Sequence, residues 1–168
     1  MNKLAILSLF VLALSWGNAS SRIIYIPQDY QTIQAGINAS FDGDTVLVNP
    51  GIYYECLNFG THSIVLASRY LMDGDTTYIG STIIDGLAAG SIITISNIID
   101  SYSAIIGLTL RNGSGLSGGA FNLYYANPRI LNNRILNSDA DGFGGGIYCV
   151  HSSPTIIGNI ISGCYSFY

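Results

Sequence analysis

The sequence predicts an all-β solenoid of parallel strands, a β-helix, closed at its N-terminal end by a short helix. Three observations carry this. First, "GGAFNLYYANPRILNNRIL" (residues 118–136) returns as "GGGIYCVHSSPTIIGNII" (residues 144–161) at a step of 26 residues, aligned on Pro128 and Pro154. A repeat of this length means stacked units. Second, the apolar residues inside each unit alternate or come in runs of three or four, which is strand period rather than helix period. Third, the chain is 49% hydrophobic and 10% charged, with twenty Gly, twelve Tyr and one Trp. Abundant Ile, Thr, Tyr, Ser and Asn favour strands and turns.

The register of the repeat is specific. Phe121 falls on Ile147, Leu123 on Cys149, Ile130 on Ile156, Asn133 on Asn159 and Ile135 on Ile161. A looser copy places Ile105, Leu110 and Asn112 on Ile130, Ile135 and Asn137 at a step of 25. A unit of short strands without a helix cannot bury its own apolar face, but it can when stacked on copies of itself about 4.8 Å apart. Further strands are expected at Thr45–Val48, Tyr54–Phe59, Ile64–Ser68, Thr82–Ile84, Ile92–Ile95 and Ile105–Leu110. Residues 45–168 then hold roughly five coils. Asn133 and Asn159 read as a ladder of amides bonding along the axis at a left-handed bend.

Residues 1–19 read as a signal peptide: Lys3, an apolar run from Leu4 to Leu14, then Gly17 and Ala19 at the small-residue positions. The run is shorter than the roughly 20 residues a bilayer-spanning helix needs. Export to the medium or the cell surface follows, with no transmembrane segment after signal removal. Residues 20–44 form an N-terminal strand and capping helix. Asp29 is placed to cap a helix over Tyr30–Ala39, whose Tyr30, Ile33 and Ile37 share one face. With Gly36 inside it, so short a helix needs the open end of the solenoid to pack on. At the other end, "GCYSFY" enters a new loop with no polar cap after it, so the expectation is truncation, with further C-terminal coils or domains.

Without the signal segment the chain has five Arg against ten Asp and Glu, near −5. No basic stripe exists for nucleic acid. Cys56, Cys149 and Cys164 give neither a disulfide framework nor a zinc pattern and read as small buried hydrophobes.

The segment "IPQDYQTIQAGINASFDGDTVLVNPGIYYECLNF" (residues 26–59), "IDG" at Ile84–Gly86 and the "GGGIYC…SPTIIGNII" coil resemble secreted right-handed parallel β-helix proteins, the pectin lyase-like superfamily. The later coils are most similar to its uncharacterised bacterial surface members. The resemblance implies a right-handed β-helix. It also implies that enzymes of this kind would line one sheet with acids and an Arg, a pattern that no motif here reproduces residue by residue.

Several residue sets carry candidate chemistry. Tyr124, Tyr125, Tyr148 and Tyr165 read as outward tyrosines on successive coils, a stacking ladder for the apolar faces of sugar rings. Arg129 and Arg134 are the cations beside them, and Arg111 lies close in sequence. A solvated aromatic surface explains the same pattern. "NSDADG" opens like a calcium loop, with Asn137, Asp139 and Asp141 at ligand positions 1, 3 and 5. Its twelfth position is Tyr148 rather than Glu, and a polar turn accounts for it equally. Calcium is the one cofactor suggested. Most Asp residues sit in Asp-Gly turns, Glu55 has no acidic partner in view, and His62 and His151 belong to no motif. The sequence therefore leans towards a non-catalytic glycan-binding or adhesion scaffold whose partner is a polysaccharide or cell-surface glycan. The alternative is a polysaccharide-active enzyme of lyase, hydrolase or esterase type, with its catalytic coils beyond these residues.

Overall fold

Short apolar bursts broken by Gly, Asn and Pro give short strands, and their edges pair along one axis. The computed structural model describes residues 21–98 and 102–167; the signal-peptide reading of residues 1–19 lies outside them. The chain is an all-β stack of parallel sheets, consistent with a parallel solenoid.

Six strands build the longest sheet: β1 (Ile23–Ile26), β2 (Thr45–Val48), β5 (Val65–Ser68), β8 (Ala104–Ile106), β12 (Arg129–Leu131) and β16 (Thr155–Ile157). A five-stranded sheet holds β3 (Gly51–Tyr54), β6 (Thr82–Asp85), β9 (Thr109–Arg111), β13 (Arg134–Leu136) and β17 (Ile160–Ser162). A four-stranded sheet holds β4 (Leu57–Asn58), β7 (Ile93–Ser96), β11 (Phe121–Tyr124) and β15 (Ile147–Val150). A three-stranded one holds β10 (Ser114–Gly115), β14 (Asp139–Ala140) and β18 (Tyr165–Ser166). From Thr45 onwards the long sheet has five rungs, as the length of the repeat requires. The strand pairings read from the repeat are present: Phe121 with Ile147, Leu123 with Cys149, Ile130 with Ile156, Ile135 with Ile161, Ile105 with Ile130 and Leu110 with Ile135.

The core follows from this register. Ile24, Val46, Leu66, Ile105 and Ile130 form one buried column. Phe121 and Leu123 face it from another sheet, fully buried. Each such side chain contributes about 1.5–3 kcal/mol. The column ends at Ile156, 44% exposed, because no described rung lies beyond β16.

Two expected strands are broken by corners. Ile105–Leu110 divides into β8 and β9 at Gly107, whose φ is +68°. Tyr54–Phe59 divides into the end of β3 and β4. The corners stack in columns of left-handed residues: Gly107, Asn132 and Gly158; Asn112, Asn137 and Gly163; Asn97, Tyr125 and His151. The left-handed amide is therefore Asn132, and its neighbour Asn133 does something different. Asn133 is buried, its Oδ1 accepts from Leu108 N–H at 2.9 Å, and its Nδ2 donates to Ile105 O at 2.9 Å. Asn159 repeats this one coil on, accepting from Asn133 N–H at 2.8 Å and donating to Ile130 O at 2.7 Å.

The N-terminal helix α1 (Ile33–Asn38) is shorter than expected and is capped differently. Thr32 is its N-cap, accepting from Ala35 N–H, and Asp29 instead closes a turn by accepting from Tyr25 N–H. The Glu55 carboxylate, from the next rung, accepts from both Ile33 N–H and Gln34 N–H at 2.9 Å. A carboxylate there satisfies two orphan donors and suits the helix dipole. Ile33 and Ile37 are buried, whereas Tyr30 lies outside the helix and is exposed. Gly36 permits the docking, since a Cβ would stand 2.8 Å from Ile26 Cδ1.

Two Asp-Gly turns hold buried carboxylates paired to partly exposed arginines. Asp44 accepts from Arg22 Nε at 2.9 Å, and Asp85 from Arg111 Nε at 2.6 Å. Burial alone would raise both carboxyls. Backbone N–H donors from Arg22 and Phe41, or from Leu87, together with the arginine, outweigh it and hold both below the ordinary carboxylate value. The folded pKa thus lies under the unfolded one. The stabilisation is present above about pH 4 and is lost as pH falls through the folded values. Urea melts from neutral to about pH 3 should show stability falling with acid, and Asp85→Asn should flatten that slope. An unchanged slope would remove Asp85 from the account.

Candidate functional site

Two faces of the solenoid present chemistry. The first is the outer surface of the four-stranded sheet. In β11 the side chains alternate, Phe121 and Leu123 inward, Asn122 and Tyr124 outward. Register then lines up Asn58, Thr94, Asn122 and Tyr148 in one outward column, and Ser96, Tyr124 and Val150 in the next. The tyrosines do not form the ladder expected along successive coils. Tyr148 follows Tyr124 by 24 residues, two short of the repeat, so it stands diagonally across from it. Tyr165 belongs to the three-stranded sheet, in register with Asp139.

An aromatic cluster does form, and it recruits His151. Tyr125 and His151 occupy successive corners and stack at 4.6 Å with 17° between their planes. Tyr124 meets Tyr125 edge-on at 4.6 Å. Tyr148 stacks on Phe143 at 6.1 Å. The fall of His151 on Tyr125 was readable in the repeat; Phe143 had no such signal.

The arginines are distributed over other sheets. Arg129 opens β12 and Arg134 opens β13, both exposed, and Arg111 is held by Asp85. The calcium-loop residues are placed as follows. Asn137 is a left-handed corner whose Oδ1 lies over Gly163. Asp139 accepts from the Ser114 hydroxyl at 3.1 Å, and Asp141 is exposed. Asn137 and Asp139 share a cleft wall with Tyr165 and Phe167, and Asp141 is not part of it. Among the described residues no three His, Cys, Asp or Glu gather closely enough to hold a metal ion.

Cys56 and Cys149 are exposed rather than core residues, and Cys164 is half-buried. Partial burial pushes the Cys56 and Cys149 thiols above their ordinary value, away from the reactive thiolate. Cys149 faces inward by register but lies in the last described strand of its sheet, so no further described strand covers it.

The second face was not foreseen. Between β5 and β6 the chain inserts two short helices, α2 (Tyr70–Asp73) and α3 (Thr77–Ser81). They overhang the corner column between the six- and five-stranded sheets and form one side of an open cleft of about 480 Å³. Its walls include Tyr70, Ile79, Asn132, Arg134, Gly158 and Ile160. The available signal was a break in period: Val65 pairs with Ala104, a step of 39 residues where later rungs keep 25 or 26.

No family model matches the chain, and no match is found among curated proteins or solved structures. Among the described residues no helix is long and apolar enough to cross a membrane.

Proposed function

We propose that this chain is an exported, right-handed parallel β-helix that binds glycans on or near the cell surface without catalysing their cleavage. The observation that carries the reading is the outer face of the four-stranded sheet, where Asn58, Thr94, Asn122 and Ser96 stand beside Tyr124, Tyr148 and the Tyr125–His151 stack. Flat aromatic rings accept the apolar faces of sugars, and neighbouring amides and hydroxyls bond their OH groups. The right hand is supported by the near-universal handedness of crossovers between parallel strands, and export by the N-terminal sequence. The alternative of a polysaccharide-active enzyme draws less support. Asp44 and Asp85 are engaged by arginines and Glu55 caps a helix, so these acids are committed to structure.

The experiment is retention on a panel of immobilised polysaccharides. Tyr124→Ala with Tyr148→Ala should weaken retention roughly tenfold on the cognate matrix, from about 0.5–1.5 kcal/mol per ring. Both rings point outward, so circular dichroism should be unchanged. Equal retention of parent and variant on every matrix would end the proposal.

A further inference from the structure

The cleft beneath α2 and α3 is a second site, on a different sheet from the aromatic face and independent of it. It is held open by bonds to the solenoid. The Ser68 hydroxyl donates to Gly107 O and accepts from Tyr70 N–H at 3.2 Å. The Tyr70 ring lies against Gly107, where a Cβ would stand 2.7 Å from it. Tyr70 also packs on an outer apolar cluster of Leu47, Ala67, Ala104 and Ile106. Thr109 donates its hydroxyl to Ile79 O at 2.6 Å and so ties α3 to β9. Fixing both helices lowers the ordering cost of binding.

Its chemistry is one cation in an apolar setting. Arg134 Nη1 sits at Gly80, 3.6 Å from where a Cβ would be, which places the guanidinium against α3. Arg22 and Arg111 are ion-paired, whereas Arg134 has no carboxylate within 4.0 Å among the described residues. Ile79 and Ile160 line the same space, and Ile160 is 58% exposed. An exposed isoleucine beside an unpaired guanidinium matches a ligand with an anionic head and an apolar body.

We propose that this cleft binds a small organic carboxylate, with Arg134 taking the carboxylate through its paired N–H groups and Ile79, Ile160 and Tyr70 taking the apolar body. A guanidinium fork fits a carboxylate in bidentate fashion, and an ammonium does not. The test is a titration of the full chain with sodium benzoate, followed by amide NMR shifts, alongside benzyl alcohol as the uncharged analogue and sodium sulfate as an anion without an apolar body. Benzoate should give saturable shifts at residues 70, 77–80, 132–134 and 158–160. Arg134→Gln should weaken it about tenfold, the worth of a charge-assisted pair, and Arg134→Lys should fall between. The side chain is exposed, so both variants should keep the parent spectrum elsewhere. The proposal is overturned if benzoate gives no saturable shifts there, if benzyl alcohol or sulfate binds as well as benzoate, or if Arg134→Gln binds benzoate like the parent.

Discussion

Asn133→Ala is expected to be among the most damaging single changes in the chain, costing about 2–4 kcal/mol. Asn133 is 1% exposed, and its amide serves backbone groups of the preceding coil. Truncation strands the Leu108 N–H in the core, at about 1–3 kcal/mol, and takes from the Ile105 carbonyl the second of its donors, at about 0.5–1.5 kcal/mol, since that carbonyl also sits in the β8–β12 ladder. It also deprives Asn159 Oδ1 of the 3.1 Å bond from Asn133 Nδ2. Domains are stable by only about 5–15 kcal/mol, so this cost takes a large share of the total. Asn159→Ala, in a half-buried position at the last rung, should cost clearly less. Urea denaturation of the two variants checks this, and equal losses would mean that the ladder's burial is not what gives it its value.

Gly119→Ala should do comparable harm for a steric reason. A Cβ at Gly119 would lie 2.3 Å from Gly145 O and 2.4 Å from Asp139 O. Both obstacles are backbone, and Asp139 is itself fixed by strand pairing, so neither can rotate aside. The loop must lift and break the Ile92 N–H to Gly119 O bond of 3.1 Å. A loss of about 3 kcal/mol or more is expected. Gly80→Ala is the matched control. Its Cβ meets Arg134 Nη1 at an ordinary 3.6 Å inside a helix, where alanine is favoured by about 0.5–1 kcal/mol. Thermal melts should move in opposite directions, and a Gly119→Ala melt like the parent's would show that the loop is softer than its contacts imply.

The residues most legible in the sequence are those repeated at a fixed step. Ile130 over Ile156 and Phe121 over Ile147 needed only the alignment, because parallel in-register stacking maps sequence step directly onto contact. The same arithmetic could have set Tyr124 and Tyr148 apart, since 24 is not 26. It could also have separated Asn132 from Asn133. Gly158 falls on Asn132 and marks the left-handed corner, leaving Asn133 for the ladder. What the step could not reveal is contact between segments that do not repeat. Glu55 reaches α1 from 22 residues away, through a bond that local propensity does not encode. The helices α2 and α3 lie in an insertion whose only trace is a longer step, so the cleft and the role of Arg134 in it were invisible before the fold was known.

The bond between Glu55 and the first turn of α1 also bears on the order in which the chain can organise itself during synthesis. The lid is made from residues 33–38, but its anchor arrives only with residue 55, after β2 and β3 have emerged. A chain released N-terminus first therefore holds an unfastened lid until its first rung has closed. From that moment the finished end offers a complete surface on which later rungs can add one at a time. The lid is in this sense a receipt for the first coil, and growth of the stack has a natural starting point and direction.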